Sequence, residues 1–361
     1  MKIIQLLFSL ASGGAEKFVV NLSNELLKRG HDVTVCILRS DSDPKMAFNK
    51  QFLDPQVKFH SLDFSSGFSF KKVSLVEDYL EKELPDVVHC HLNVIPFIYR
   101  FAFLHKNIRF VHTIHNIAEK ASGLKVQYYM NKYFYKNNIL RPVTISAKCD
   151  ESFIEYFQLK NAVCIDNGCP TVKASNEFKN VKLEVASYKK TENTPVFIHV
   201  ARCDQQKNQR LLIEAFNQLY KEGIDFTLLI LGIGFFDERN QILREIACHN
   251  IHFLGEKKNV CDYLLCSDAF CLSSIYEGLP IALIEAMSCG LTSICTPVGG
   301  IPDVIADGCT GYLTSDLSLD SYVSTIKRYF KSPLDRLNII SEYHKKYSIE
   351  ECTNRYLAVY K

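Results

Sequence analysis

Residues 2–38 read KIIQLLFSLASGGAEKFVVNLSNELLKRGHDVTVCIL. The apolar run over 2–8 predicts a buried strand, and Ser12-Gly13-Gly14 supplies turn chemistry after it. Over 15–29, Phe18, Val19, Leu22, Leu26 and Leu27 fall on one helical face, and Gly30 closes that helix. A second apolar strand follows at 32–38. The same alternation continues, with strand-like runs at 57–62, 86–91, 108–114 and 142–145 and helical segments at 71–83, 94–104, 124–138 and 147–157. That order predicts a parallel sheet covered on both faces. Residues 166–195 interrupt it. Asp166-Asn167-Gly168-Cys169-Pro170 is turn chemistry, and the lysine-rich stretch after it reads as a connection and a loop leading into a second domain. Strands are then expected at 196–201, 226–231, 251–254, 268–272 and 292–295. Helices are expected at 208–221, 236–248, 259–265, 280–289 and 301–306, with a helical tail from 333. The expected fold class is α/β, two successive doubly wound, Rossmann-like domains. Ligands of such sheets sit at the carboxyl ends of the strands, and two facing halves would place the site in the cleft between them.

Length and composition agree with this division. A chain of 361 residues exceeds one ordinary core. A formal net charge of +2 excludes a broad basic field, so no nucleic-acid partner is expected. No stretch reaches the roughly 20 apolar residues of a membrane span, which leaves only peripheral membrane contact. The apolar start resembles a signal peptide but is short, and a turn and an amphipathic helix follow at once, so a first strand fits better. The fourteen cysteines include no C-x-x-C pair and sit in apolar contexts such as those of Cys36, Cys271 and Cys295. They read as reduced core thiols of a cytoplasmic protein.

Three groups of residues stand out chemically. Glu277 follows the strand at 268–272, Pro280 opens a helix, and Glu285 lies just over one turn inside it. The unpaired amides of such a first turn form an anion site, and the flanking carboxylates could accept hydrogen bonds from hydroxyls beside a phosphate. On spacing alone the pair also reads as two solvated glutamates. Arg202 and Lys207 flank a polar loop after the strand at 196–201, where two cations suit a diphosphate or are plain surface charge. His115 ends the strand at 108–114, with His112 on the opposite face and better read as packed. His89 and His91 share a face without a matching third metal ligand. Gly13 and Gly14 allow close backbone approach or simply turn the chain, and no G-x-G-x-x-G supports a dinucleotide.

The segment from Ser274 to Gly290, with its Glu277-Gly278-Leu279-Pro280-Ile281 opening and Glu285-Ala286-Met287, resembles the E-x7-E signature of the family 4 (group 1) retaining glycosyltransferases. Thr296 to Ile305, Asp307 to Leu313, Ser12-Gly13-Gly14-Ala15-Glu16 and Asp166-Asn167-Gly168 are similar to the same pattern and occur in the same order across the whole chain. The resemblance implies a GT-B fold. It implies an acceptor-side domain at 1–166, joined by a C-terminal helix at 340–361, and a donor-side domain at 167–339. Glu285 would bind the nucleotide ribose, and Glu277 the hydroxyls of the donor sugar. The backbone of Gly278, Leu279, Pro280 and Ile281 would follow the diphosphate and sugar, with amides from all but Pro280. Arg202 and Lys207 would stabilise the leaving nucleotide diphosphate, and His115 would lie near the donor sugar. Gly13, Gly14, Gly232 and Gly255 would line the donor site, with Gly299 and Gly300 on its phosphate side and Lys257 and Lys258 near the base. Asp41-Ser42-Asp43 spells the metal motif of the other common glycosyltransferase fold but reads as plain loop here. No metal and no cofactor is expected, since the nucleotide-sugar is a substrate.

The implied reaction is transfer of a hexose or N-acetylhexosamine from a nucleotide diphosphate donor, UDP being commonest in the family, to a glycan or lipid-linked acceptor in bacterial surface polysaccharide synthesis. Lysines and tyrosines over 119–141 suit either a peripheral membrane face on the inner leaflet or an ordinary packed helix. The alternatives are a nucleotide-sugar epimerase of the same fold, a non-catalytic sugar-nucleotide-binding subunit and, disfavoured by length, a phosphorylase.

Overall fold

A computed structural model describes residues 1–121 and 123–361. The chain forms two compact units, one of residues 1–169 with 349–361 and one of residues 170–348.

In the first unit the strands are β1 (Lys2–Leu7), β2 (Asp32–Arg39), β3 (Lys58–Phe64), β4 (Val87–His91), β5 (Arg109–Ile114), β6 (Arg141–Thr144) and β7 (Val163–Cys164). They form one parallel sheet in the order β3-β2-β1-β4-β5-β6-β7. The connecting helices are α1 (Gly14–Lys28), α2 (Phe70–Glu83), α3 (Tyr99–Leu104), α4 (Ala118–Ala121), α5 (Lys125–Lys136) and α6 (Ala147–Phe157). Ser69 and Ser146 cap α2 and α6 by accepting the amides of Lys72 and Cys149. The order reverses between β1 and β4, so the loops leaving Leu7 and His91 flank the switch point, where parallel sheets take ligands.

The second unit repeats the plan with β8 (Val196–Val200), β9 (Thr227–Leu231), β10 (Ile251–Gly255), β11 (Ala269–Leu272), β12 (Thr292–Cys295) and β13 (Gly311–Leu313), parallel in the order β10-β9-β8-β11-β12-β13. Its helices are α7 (Phe178–Tyr188), α8 (Gln209–Lys221), α9 (Gln241–Glu245), α10 (Val260–Leu265), α11 (Ile281–Ser288), α12 (Ile301–Val304), α13 (Leu319–Lys331) and α14 (Arg336–Lys346). Here the switch point lies between β8 and β11. The last helix, α15 (Ile349–Tyr360), belongs to the first unit, where it packs on α1 and β5.

Several expectations need correction. The stretch 166–195 is not all loop, because α7 lies within it. Val181 and Val185, four residues apart, bury one narrow stripe, and the lysines around them hide the period. The loop before it is pinned by buried Asp262, which accepts from the amide and hydroxyl of Ser175. The segment 236–248 holds only a short turn and α9. Asn217 of α8 donates to the carbonyl of Ile246 and accepts from the amide of Cys248, taking the groups a longer helix would use. The expected helix at 94–104 divides into a 3₁₀ turn at 95–97 containing Pro96 and then α3. The tail from 333 is two helices, split at Tyr347 and Ser348. The structure also adds β7, β13 and α13. Among the described residues the fourteen cysteines form no disulfide, and most of them are buried.

Candidate active site

The second unit gathers its site residues on the loops that leave the carboxyl ends of its strands. After β8 the chain turns through Arg202 to Asn208. Asp204 Oδ1 accepts the Lys207 amide at 3.1 Å, and Gln209 Nε2 donates to the Arg202 carbonyl at 2.7 Å. The loop after β11 is stitched to it. Ser273 Oγ donates to the carbonyls of Lys207 and Asn208, the Ile275 amide to Gln206 O, and Gln206 Nε2 to Tyr276 O. The loop after β12 closes on the same strip, with Thr296 Oγ1 donating to Ser274 O at 2.6 Å and the Gly300 amide to Gly278 O at 2.7 Å. Two glycines make this closure possible. A Cβ on Gly299, at φ +57°, would stand 1.8 Å from the Glu277 carbonyl oxygen, and one on Gly232, at φ +144°, 1.9 Å from that of Ala201. The Gly232 amide donates to Gly255 O, which ties in the loops after β9 and β10.

Glu277 sits at the centre of this strip. Its Oε1 accepts from Lys207 Nζ at 2.5 Å and Ser274 Oγ at 2.6 Å, and its Oε2 lies 3.4 Å from Gln206 Nε2. The two charged side chains are only 15% and 6% exposed, so this ion pair is far stronger than a surface one. An ammonium carries three donors, and Glu277 takes one of them. Arg202 differs, with a side chain 55% exposed and an ion pair to Asp204 at 3.3 Å. The structure thus brings Lys207 and Glu277 into direct contact and sets Arg202 at the rim of the same loop. Gly278, Leu279 and Pro280 lead directly into α11, and Ile281 is its first residue, so the first-turn amides stand beside Glu277. Glu285 is half-buried, on the fifth residue of α11. Lys257 ion-pairs with Glu184 of α7 and lies over the Tyr263 ring.

In the first unit Gly13 stands at the start of α1 in extended conformation, and the space a side chain would take there holds the Glu16 carboxylate. His112 is buried against α5, its ring bonded to Tyr135 Oη and Leu92 O, both at 2.7 Å. His89, His91 and His115 lie on the other face, toward α1 and α15. His89 bonds Tyr360 Oη and Thr113 Oγ1, both at 2.7 Å, and Thr113 reaches Tyr356. His91 bonds Gln5 Oε1 at 2.7 Å and His115 at 3.0 Å. A strip of His115 meets solvent, yet Nδ1 is enclosed and without a hydrogen-bond partner. Burial lowers His115 to about 3 and His112 to about 4, and it pushes His89 and His91 well below the ordinary histidine value. All four rings are therefore neutral.

Asp41 and Asp43 turn to separate partners, Lys50 Nζ and the Lys45 amide. Among the described residues no group of three or more His, Cys, Asp or Glu side chains is placed to hold a metal. Likewise no described helix is long and apolar enough to cross a membrane. Sequence reasoning missed Gln5, Gln206 and Ser274. Gln5 had a visible signal, a lone amide inside the apolar run Ile3-Ile4-Gln5-Leu6-Leu7.

Two parallel doubly wound units with polar loops at the carboxyl ends of their strands define a class, the GT-B glycosyltransferases. Residues 12–173 match Glycosyltransferase Family 4, and residues 181–347 match Glycosyl transferases group 1. The chain belongs to this group 1, family 4 glycosyltransferase family. It is 26% identical over 334 residues to N-acetyl-alpha-D-glucosaminyl L-malate synthase of Bacillus anthracis, covering 83% of this chain and 80% of that one. It is 24% identical over 298 residues to the Escherichia coli UDP-Gal:alpha-D-GlcNAc-diphosphoundecaprenol alpha-1,3-galactosyltransferase, covering 75% of each. The crystal structure of Anabaena HepE in complex with UDP and glucose shares its fold, with a TM-score of 0.79 at 17% identity over 99% of this chain and 98% of that one.

Proposed function

We propose that this glycosyltransferase transfers a hexose or N-acetylhexosamine from a UDP-sugar, with retention at the anomeric carbon, to a glycan or lipid-linked acceptor in bacterial surface polysaccharide synthesis. The observation that carries this reading is the buried Lys207–Glu277 pair beside the first turn of α11. An ammonium held in place by Glu277, together with the first-turn amides of α11, would meet the charge on a departing diphosphate, and the ammonium is held before substrate arrives. Lys207 and Arg202 would stabilise the charge on the leaving diphosphate. Glu285 would hold the ribose, and Glu277 would orient Lys207 and place its remaining acceptor capacity beside the sugar. The relatives support the substrate class: one is a UDP-Gal:alpha-D-GlcNAc-diphosphoundecaprenol alpha-1,3-galactosyltransferase, and HepE was crystallised with UDP and glucose. No step calls for a metal or cofactor, because lysine, arginine and helix amides supply the positive potential.

A membrane-side acceptor draws support from α5. That helix buries Asn131, Phe134 and Tyr135 and leaves Val126, Tyr129 and Tyr133 exposed along one face, with Lys125, Lys132 and Lys136 beside them. Ser122, within the 119–141 stretch, lies outside the described residues. Aromatics flanked by lysines suit an anionic leaflet on its cytoplasmic side.

The deciding experiment incubates the protein with UDP-glucose, UDP-galactose, UDP-N-acetylglucosamine and UDP-N-acetylgalactosamine, with and without lipid-linked acceptors, and follows UDP release and product mass. One donor is expected to turn over with an acceptor and keep its anomeric configuration. Donor binding without turnover, or C2 or C4 epimerisation without acceptor, would overturn the assignment.

A further inference from the structure

His115 has one polar atom that the protein leaves unmatched, and the residues behind it decide what that atom can bind. Its Nε2 faces His91 Nδ1 at 3.0 Å, and this contact between two neutral rings must hold a single proton. The other nitrogen of His91 faces Gln5 Oε1 at 2.7 Å. A carbonyl oxygen only accepts, so His91 carries its proton on Nε2 and its Nδ1 is bare. His115 must then donate from Nε2, which leaves its own Nδ1 bare. Gln5 is oriented in turn by α15, since its Nε2 faces Tyr360 Oη at 3.4 Å and that hydroxyl lies 2.7 Å from His89 Nδ1. A neutral imidazole has one donor and one acceptor, so a fixed bond at one nitrogen settles the other.

We infer that Gln5 and His91 are positioning residues for the transfer reaction: they lock His115 in the Nε2–H form, so that its enclosed Nδ1 presents a lone pair and accepts from a sugar hydroxyl rather than donating to a phosphate or carbonyl oxygen. The relay crosses the sheet from β1 to β4 to the end of β5, and Phe18 of α1 packs its ring against His91 and His115. This discriminates between ligand groups. A hydroxyl can satisfy the orphan nitrogen, whereas a phosphate oxygen there would meet lone pair with lone pair. The inference rests on the transferase reading for its ligand but not for its tautomer.

The test uses the whole chain labelled with ¹⁵N-histidine. Long-range ¹H–¹⁵N spectra of the free protein, with His115 assigned by loss of its signals in His115→Asn, should show protonated Nε2 and bare Nδ1. A proton on Nδ1, or a mixture of forms, would overturn the relay. Gln5→Leu should then yield mixed His115 tautomers and lower kcat with the active UDP-sugar about tenfold, with calorimetric affinity for UDP unchanged. Tyr360→Phe, a gentler change, should move both readouts in the same direction and by less. Wild-type tautomer and kcat in both variants would remove the positioning role. Should no UDP-sugar bind or turn over, the functional reading fails while the tautomer result still stands.

Discussion

At the level of single residues, the Lys207–Glu277 pair carries the strongest expectations. Each partner is buried enough that removing one strands the other. Lys207→Ala should destabilise the second unit by about 3 kcal/mol, read as a lower urea midpoint. Combining Lys207→Met with Glu277→Gln should recover most of that stability, because no unpaired charge remains, but should leave transfer at least 100-fold slower. Recovery of activity together with stability would mean that the pair serves only the fold. Arg202 and Glu285 separate differently. Arg202 is exposed and pairs only loosely with Asp204, so Arg202→Ala should leave the urea midpoint unchanged and lower kcat. Glu285→Ala should weaken donor binding with little change in kcat. Wild-type efficiency in both variants would place the site elsewhere.

Elements explain why these residues meet at all. Arg202, Lys207 and Glu277 come from the loops after β8 and β11, the two strands between which the sheet order reverses. The loop after β12 is held against Glu277 by Gly299, whose missing Cβ makes room for a backbone oxygen that cannot move aside. Gly299→Ala should therefore displace the start of α11 and weaken UDP binding about tenfold or more by calorimetry, with the circular dichroism retained. The elements that sequence reasoning missed share a cause. The lysines of α7 conceal a two-valine stripe, β13 has only three residues, and α9 is cut short by a side chain from α8 that no local pattern reveals.

Across the whole molecule the two units differ in how they treat histidine. Among the described residues the first encloses His89, His91, His112 and His115, whereas the second fully encloses His199, which burial lowers to about 4, and half-buries His252. A ring held neutral when folded but titrating near 6.5 when unfolded favours the unfolded state as pH falls. Its contribution is complete above that value and is lost toward the folded value, by about 1.4 kcal/mol per pH unit per ring. Lowering the pH from 7 to 5 should expose amides of 1–169 in hydrogen exchange while 170–348 stays protected. Equal loss in both units would contradict this. Chain connectivity adds a second asymmetry. The helix α15 buries Ile349, Cys352, Tyr356 and Tyr360 in the first unit, so a chain ending at Ser348 should lose protection in residues 1–169 and keep it in the second unit.

What could be read from the residues alone was whatever rests on local pattern. The βαβ period and the parallel sheets follow from spacing within a few residues, because apolar periodicity and turn chemistry are local, whereas the glutamates around Pro280 and the cations after β8 stand out from ordinary surface charge only through the family resemblance. Tertiary structure alone revealed that Glu277 is paired with Lys207, seventy residues away. It also revealed that Gly299 makes room for the Glu277 backbone, and that Gln5, His91 and His115 share one proton line steadied by Tyr360 at the far end of the chain. These contacts join segments whose separation in sequence carries no period, and only the packed sheets and their helices bring them within reach.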